Sequence, residues 1–163
     1  MKGKVLAVCI SSKKGEKKID MGKALFIQGH GISGDAHSGP WHRQVSLLSI
    51  DSVNKMRDMG ADVGFGDFAE NLNIEGFELF TLPIGTMMRV GQEVELEVTQ
   101  IGKECHHGCA IRQQVGDCVM PREGIFARVI TGGLVTTGDD IEVLSSSVAI
   151  QDVQDHKRAM HIL

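Results

Sequence analysis

Between residues 93 and 98 polar and apolar side chains alternate without a break, at the head of a strand predicted over 94–101. Val94, Leu96 and Val98 fall to one side, and Glu93, Glu95 and Glu97 to the other. A period of two predicts a strand with one face buried and one in water. Residues 4–11 carry Val-Leu-Ala-Val-Cys-Ile, read as a buried strand in which Cys9 is a small core residue. Further short strands are predicted over 23–27, 45–50, 70–74 (with polar residues on one face), 79–82, 87–90, 126–130 and 140–144. One helix is predicted over 50–59, with Ser49 as its cap, Val53, Met56 and Met59 on one face and Gly60 as its stop. Those methionines read as core filler rather than ligands. Residues 12–18 read as a solvated basic turn and 64–68 as a tight turn. Many short strands at close turn spacing predict a mainly β domain, a distorted β-barrel with one or two short helices. The pattern spans residues 1–145. Residues 146–163 form a polar tail with a weak helical register at Val153, His156 and Met160, either helical or disordered.

Composition sharpens this picture in a few places. Twenty glycines in 163 residues is about 12%, against a usual ~7%, which fits a chain of turns and short strands. A net charge of −4, one Trp and no Tyr argue against a nucleic-acid partner, which needs a basic field and stacking rings. No apolar run approaches the ~18 residues of a membrane span, and the early run at 5–10 is too short for a signal-peptide core. The expectation is a cytoplasmic protein with no membrane partner, in which cysteines are free, metal-bound or catalytic rather than paired.

Two stretches hold the candidate chemistry. Residues 29–44 have four glycines, a proline, three histidines and almost no periodicity. Long irregular loops in compact domains often carry function. Glycine turns let backbone N–H groups converge on an anion, and Arg43 or a histidine adds charge. The loop lacks the Gly-Lys-Ser/Thr ending of a phosphate-binding P-loop, and His30, His37 and His42 lack zinc-finger spacing. The second stretch, between the strands at 94–101 and 126–130, contains Cys105, His106, His107, Cys109 and Cys118. Three readings stay open. The first is a zinc or iron–sulfur site using Cys105, Cys109, Cys118 and a histidine such as His106, although C-x3-C-x8-C misses the common spacings. The second is a nucleophilic or sulfur-carrying Cys105, whose thiolate Lys103, His106 and His107 favour and Glu104 opposes. The third is a set of small apolar thiols packed under a loop.

Several segments in order resemble the MOSC family, named for the C-terminal domain of molybdenum-cofactor sulfurase. They are Gly34-Asp35-Ala36-His37 with Arg43-Gln44-Val45-Ser46-Leu47-Leu48-Ser49, then Glu70-Asn71-Leu72, then Leu82-Pro83-Ile84-Gly85-Thr86. Last comes the strand running from Glu95 into Gly102-Lys103-Glu104-Cys105. The resemblance covers roughly residues 1–145 and implies a strand-rich, distorted barrel. It implies that Cys105 occupies the family's characteristic cysteine position, as a carrier of persulfide sulfur or as a thiolate ligand of molybdenum. It also implies a molybdenum cofactor (molybdopterin) or tungsten analogue as the bound group. Asn71 matches a position near the pterin, and Asp35, His37 and Arg43 belong to the family's other recurrent patch. Glu104 departs from the neutral residue usual before the cysteine, and Cys109 and Cys118 are additions to the single-cysteine pattern. The chain carries no pyridoxal-phosphate site, so sulfur would come from a separate cysteine desulfurase or from cofactor-synthesis proteins. Any enzymatic activity would be of the sulfurtransferase type. The alternative is a non-enzymatic interaction module stabilised by zinc or an iron–sulfur cluster.

Overall fold

The computed structural model describes residues 1–103 and 120–145. Strands β1 (Lys2–Ile10), β5 (Val45–Ser49), β6 (Leu72–Glu75), β7 (Met87–Val90), β8 (Val94–Ile101), β9 (Ile125–Thr131) and β11 (Asp140–Ser145) form a closed barrel in the order β11-β7-β8-β9-β5-β6-β1. Closure comes from β1 against β11, with Lys2 opposite Glu142 and Lys4 opposite Asp140. Strand β2 (Ile19–Asp20) extends the sheet beyond β1. Strands β3 (Lys23–Ile27), β4 (Gly31–Ile32) and β10 (Gly133–Thr136) make a separate small sheet. Register shifts in β1, β8 and β11 distort the barrel, as bulges do.

The alternation read in β8 is what closes the interior. Val94, Leu96 and Val98 are fully buried, while Glu95 and Glu97 on the outer face stay partly exposed. Burial of such side chains is worth about 1.5–3 kcal/mol each. Val45, Leu47, Leu72, Ile74, Met88 and Ala127 complete the same core from the other strands. All of β5 is buried because both its faces are covered. Val45 and Leu47 point into the barrel, and Leu48 joins an outer layer with Val53, Met56, Phe68, Met120 and Phe126. Helix α1 (Ile50–Asp58) lies over that layer and carries the crossover required by the parallel pairing of β5 with β6. The helix stops one residue earlier than predicted. Met59 is its cap and is 48% exposed, not part of the buried face. Ser49 precedes the helix as predicted, but its hydroxyl lies 3.2 Å from Ser52 Oγ instead of capping a backbone N–H.

Three other expectations change. Residues 79–82 are a turn, closed by Leu82 N–H donating to the Leu79 carbonyl at 3.1 Å, and both leucines fill the core from there. The strand expected over 70–74 begins only at Leu72, and its polar residues do not meet water, since Glu70, Asn71 and Asn73 are all completely buried. The basic turn is solvated only as far as Lys17, because Lys18 is 2% exposed. The polar tail at 146–163 and the thiol-rich stretch with Cys105, His106, Cys109 and Cys118 lie outside the described residues.

Candidate functional site

Strands β8 and β9 stay paired as far as Ile101 and Ile125, and Gly102 N–H donates to the Gly124 carbonyl at 2.7 Å. The chain leaves this neck at Lys103 and returns through the single helical turn α2 (Met120–Glu123). Glu123 ties α2 to α1, accepting from Ser52 Oγ at 2.8 Å and from Lys55 Nζ at 2.9 and 3.1 Å. Beside the neck lies an open depression of about 280 Å³, lined by His37, Arg43, Ser46, Phe68, Ala69, Lys103, Met120 and Phe126.

One wall comes from the irregular loop at 29–44, which hydrogen bonds hold in place. Ala36 N–H donates to the Ser11 carbonyl at 2.8 Å. The buried Gln44 accepts from Val129 N–H at 2.9 Å and donates to the Gly39 carbonyl at 3.1 Å. Behind this wall sits a buried ion pair, Lys18 Nζ to Asp35 Oδ1 at 2.7 Å, with both side chains fully shielded. Lys18 Nζ is also 3.0 Å from Ser11 Oγ and 3.0 Å from His37 Nδ1. Asp35 further accepts from the backbone N–H groups of Ser11 and His37, each at 3.1 Å. Trp41 Nε1 donates to the His37 carbonyl at 2.7 Å. The Arg43 guanidinium lies over two aromatic rings, 4.6 Å from the centre of Trp41 and 5.6 Å from that of Phe126. Such cation–π contacts hold a charge in place without neutralising it.

The opposite wall is Ser46, Phe68 and Ala69, with Asn71 behind it. Asn71 Oδ1 accepts from Ser46 N–H at 2.9 Å, and its Nδ2 donates to the Cys9 carbonyl at 3.0 Å. Its amide thus clamps β1 to β5. Ala69 adopts φ 61°, a left-handed conformation that a non-glycine residue rarely takes. Glu70 helps to hold that bend by accepting from Phe68 N–H at 3.1 Å. Burial pushes the Glu70 carboxyl up to about 7, against its backbone and Asn73 contacts. Asn73 nevertheless lies beyond strict hydrogen-bond geometry: neither of its amide atoms, nor Glu70 Oε2, has a partner.

The electrostatics favour an anion. Burial, reinforced by the Lys18 charge and opposed by Asp35, lowers His37 to about 4, so the ring is neutral near pH 7. Among the described residues no carboxylate lines the depression, and neither Arg43 nor Lys103 has an ion-pair partner. Of the residues singled out in the sequence, His37 and Arg43 stand on the wall, and Asp35 and Asn71 lie one layer behind. Lys18 and Ser11 belong to the same assembly but carry no site signal in the sequence, and Glu70 stood in a segment that carried the family resemblance without a role attached. Ser46 stood within the motif that carried the family resemblance, without a role attached. Cys9 is buried, and desolvation pushes its thiol up to about 12, which makes it the inert core cysteine expected. Among the described residues, no three His, Cys, Asp or Glu side chains gather as a metal site. No helix there is long and apolar enough to cross a membrane.

The model of a family described as the MOSC domain matches residues 34–142. The YuaD protein from Bacillus subtilis, in its crystal structure, superposes with a TM-score of 0.74 at 23% identity, covering 88% of this chain and 96% of that one. YiiM from Escherichia coli gives 0.61 at 18% identity, covering 89% and 70%. YiiM from Geobacillus stearothermophilus gives 0.65 at 14% identity, covering 96% and 85%. These likenesses bear on the fold alone. No curated protein matches the chain.

Proposed function

The chain belongs to the MOSC family, and from that premise we propose that it binds a molybdenum or tungsten pterin cofactor, or carries sulfur for one, through Cys105. The observation that supports this most is a basic depression, with no carboxylate among its described lining residues, at the neck where the thiol-rich segment begins and ends. Lys103 and Met120 both line it. Cys105 stands two residues beyond Lys103, and two residues of extended chain reach no more than about 7 Å.

The donor set fits the phosphate of such a cofactor. Arg43 and Lys103 supply charge, and the His37 ring and the walls of the loop supply shape. When bound, the cofactor supplies a soft metal centre that suits a thiolate ligand. The chain's own contribution is to hold an anionic group beside the neck and to present the Cys105 thiol close by. As a sulfur carrier, the Cys105 thiolate attacks the terminal sulfur of a partner's cysteine persulfide. A new S–S bond forms on Cys105, the partner's S–S bond breaks, and the partner leaves as a thiolate with no net change in oxidation state. The partner in this reading is a separate cysteine desulfurase or a cofactor-synthesis protein in the cytoplasm.

The test is elemental analysis of anaerobically purified protein, with persulfide mass spectrometry on the wild type and on Cys105→Ser. Molybdenum or tungsten, or an added sulfur mass, should be present in the wild type and lost in a normally folded Cys105→Ser. Near-stoichiometric zinc or iron, lost equally in Cys105→Ser, Cys109→Ser and Cys118→Ser together with the fold, would replace this reading with that of a metal-stabilised interaction module.

A further inference from the structure

The depression described above has a histidine on its wall whose hydrogen-bonding state is fixed from behind. Donors and acceptors in the buried cluster can be counted completely. Lys18 carries three N–H donors and faces three acceptors: Ser11 Oγ, Asp35 Oδ1 and His37 Nδ1. Ser11 can accept because its own hydroxyl hydrogen goes to the Lys13 carbonyl at 3.0 Å. Asp35 Oδ1 takes the Lys18 ammonium and Ser11 N–H, and Asp35 Oδ2 takes His37 N–H. A proton on His37 Nδ1 would set donor against donor at 3.0 Å.

We infer that Lys18 is a positioning residue that holds His37 as the neutral Nε2–H tautomer, so that His37 serves the depression as a hydrogen-bond donor and neither as a metal ligand nor as a general base. With Nδ1 occupied by Lys18 and Nε2 carrying the proton, the ring has no free lone pair for a metal or for a substrate proton. The Ser46 hydroxyl is used within the wall, giving its hydrogen to Asn71 Oδ1 or the Ala69 carbonyl and accepting from Asn71 N–H at 3.1 Å. Among the described lining residues, Arg43, Lys103 and His37 are the side chains that offer N–H donors to a ligand. Three N–H-donating side chains lining one depression favour an acceptor-rich oxoanion such as a phosphate monoester.

The charged groups around the ring come from every element packed on it: Lys18 and Asp35 behind it, Lys14 from the basic turn, and Lys103 from the end of β8. Four of these five neighbouring influences, burial included, disfavour a second proton on the ring, and only Asp35 favours one. His37 therefore adds no charge to the depression across the neutral range. The tautomer assignment stands on the hydrogen-bond geometry. Its consequence for ligand choice rests on the anion-binding reading proposed above.

Long-range proton–nitrogen NMR on the full chain with 15N-labelled histidine tests both parts, with the His37 signals identified by their loss in His37→Gln. In the wild type His37 should show a protonated Nε2 and an unprotonated, hydrogen-bonded Nδ1, unchanged from pH 8 to pH 5, with a midpoint of about 4. In Lys18→Met that midpoint should climb toward the ordinary value of about 6.5. A wild-type His37 protonated on Nδ1, or titrating near 6.5, overturns the assignment, and this measurement needs no variant to fold. A folded Lys18→Met with an unmoved midpoint overturns the role of Lys18. Inorganic phosphate is then added to the wild type. A shift of the His37 Nε2–H signal, lost in Arg43→Ala, supports anion binding with His37 as a donor. Absence of that shift with the tautomer intact overturns the anion reading and leaves the lock standing.

Discussion

Arg43 shows how a single residue can keep a charge available for a ligand. Its guanidinium rests on Trp41 and Phe126, so it is ordered by ring faces and not consumed by a carboxylate. Arg43→Lys keeps the charge but loses the planar stack and the two-pronged donor geometry. Phosphate affinity measured by calorimetry is expected to fall about tenfold, the equivalent of about 1.4 kcal/mol, and further in Arg43→Ala. Unchanged affinity in Arg43→Ala would remove this residue from the anion site. Asn71 acts differently, as a clamp. Asn71→Ala would leave Ser46 N–H and the Cys9 carbonyl without their side-chain partner, at about 1–3 kcal/mol for each group left unsatisfied, and should lower the denaturant midpoint by a corresponding amount. In the sequence the irregular glycine-rich loop and the family resemblance both pointed to Asp35, His37 and Arg43, and the resemblance alone pointed to Asn71. Neither pointed to Lys18. It ends a run of lysines that looks solvated, and its three acceptors come from Ser11, Asp35 and His37, whose convergence no local pattern encodes.

The burial of Lys18 is decided by how one turn packs on another. Gly66 has φ +85°, and a Cβ built there would lie 2.0 Å from the Lys18 carbonyl oxygen. Lys18 N–H donates to the Gly66 carbonyl at 2.9 Å, so the 64–68 turn lies directly on the backbone of the buried lysine. Gly66→Ala therefore combines a left-handed conformation with a clash against backbone, which cannot rotate away. A loss of about 2–4 kcal/mol is expected in chemical denaturation. A variant within about 0.5 kcal/mol of wild type would mean that the two turns separate easily. The same scale explains which elements could be read in advance. Strand β8 matched its predicted limits because one face is buried and the other wet, which makes the period visible. Residues 79–82 looked like a strand because two core leucines three apart give an apolar run, while the backbone makes a turn. Strands β2 and β4 have two residues each, too few to show any period. The parallel pairing of β5 with β6 depends on where α1 lands, and periodicity does not report that.

At the scale of the whole molecule, two buried titratable groups pull stability in opposite directions with pH. Glu70 lies between the barrel and its covering turn, with a carboxyl raised from 4.5 to about 7 by burial. The folded state binds that proton more tightly than the unfolded state, so its contribution is full below about 4.5 and is lost as pH rises through about 7. His37 is lowered from 6.5 to about 4, so its contribution is full above about 6.5 and is lost as pH falls through about 4. Between about 4.5 and 6.5 the two slopes oppose each other, and the wild-type melting temperature should vary little on their account. Glu70→Gln removes the falling slope, and relative to wild type its melting temperature should rise with pH across that window. His37→Gln removes the rising slope, and relative to wild type its melting temperature should fall over the same window. Difference profiles cancel groups common to both proteins, including the exposed Lys4–Asp140 pair at the β1–β11 seam, which surface screening makes weak in any case. Thermal melts followed by circular dichroism from pH 4 to pH 8 decide the matter. Variant profiles parallel to wild type would show that neither group keeps a displaced titration in the folded protein. Opposite tilts in the two variants would show that the cover over Glu70 and the lock behind His37 are both closed, and that His37 adds no charge to the site across that window.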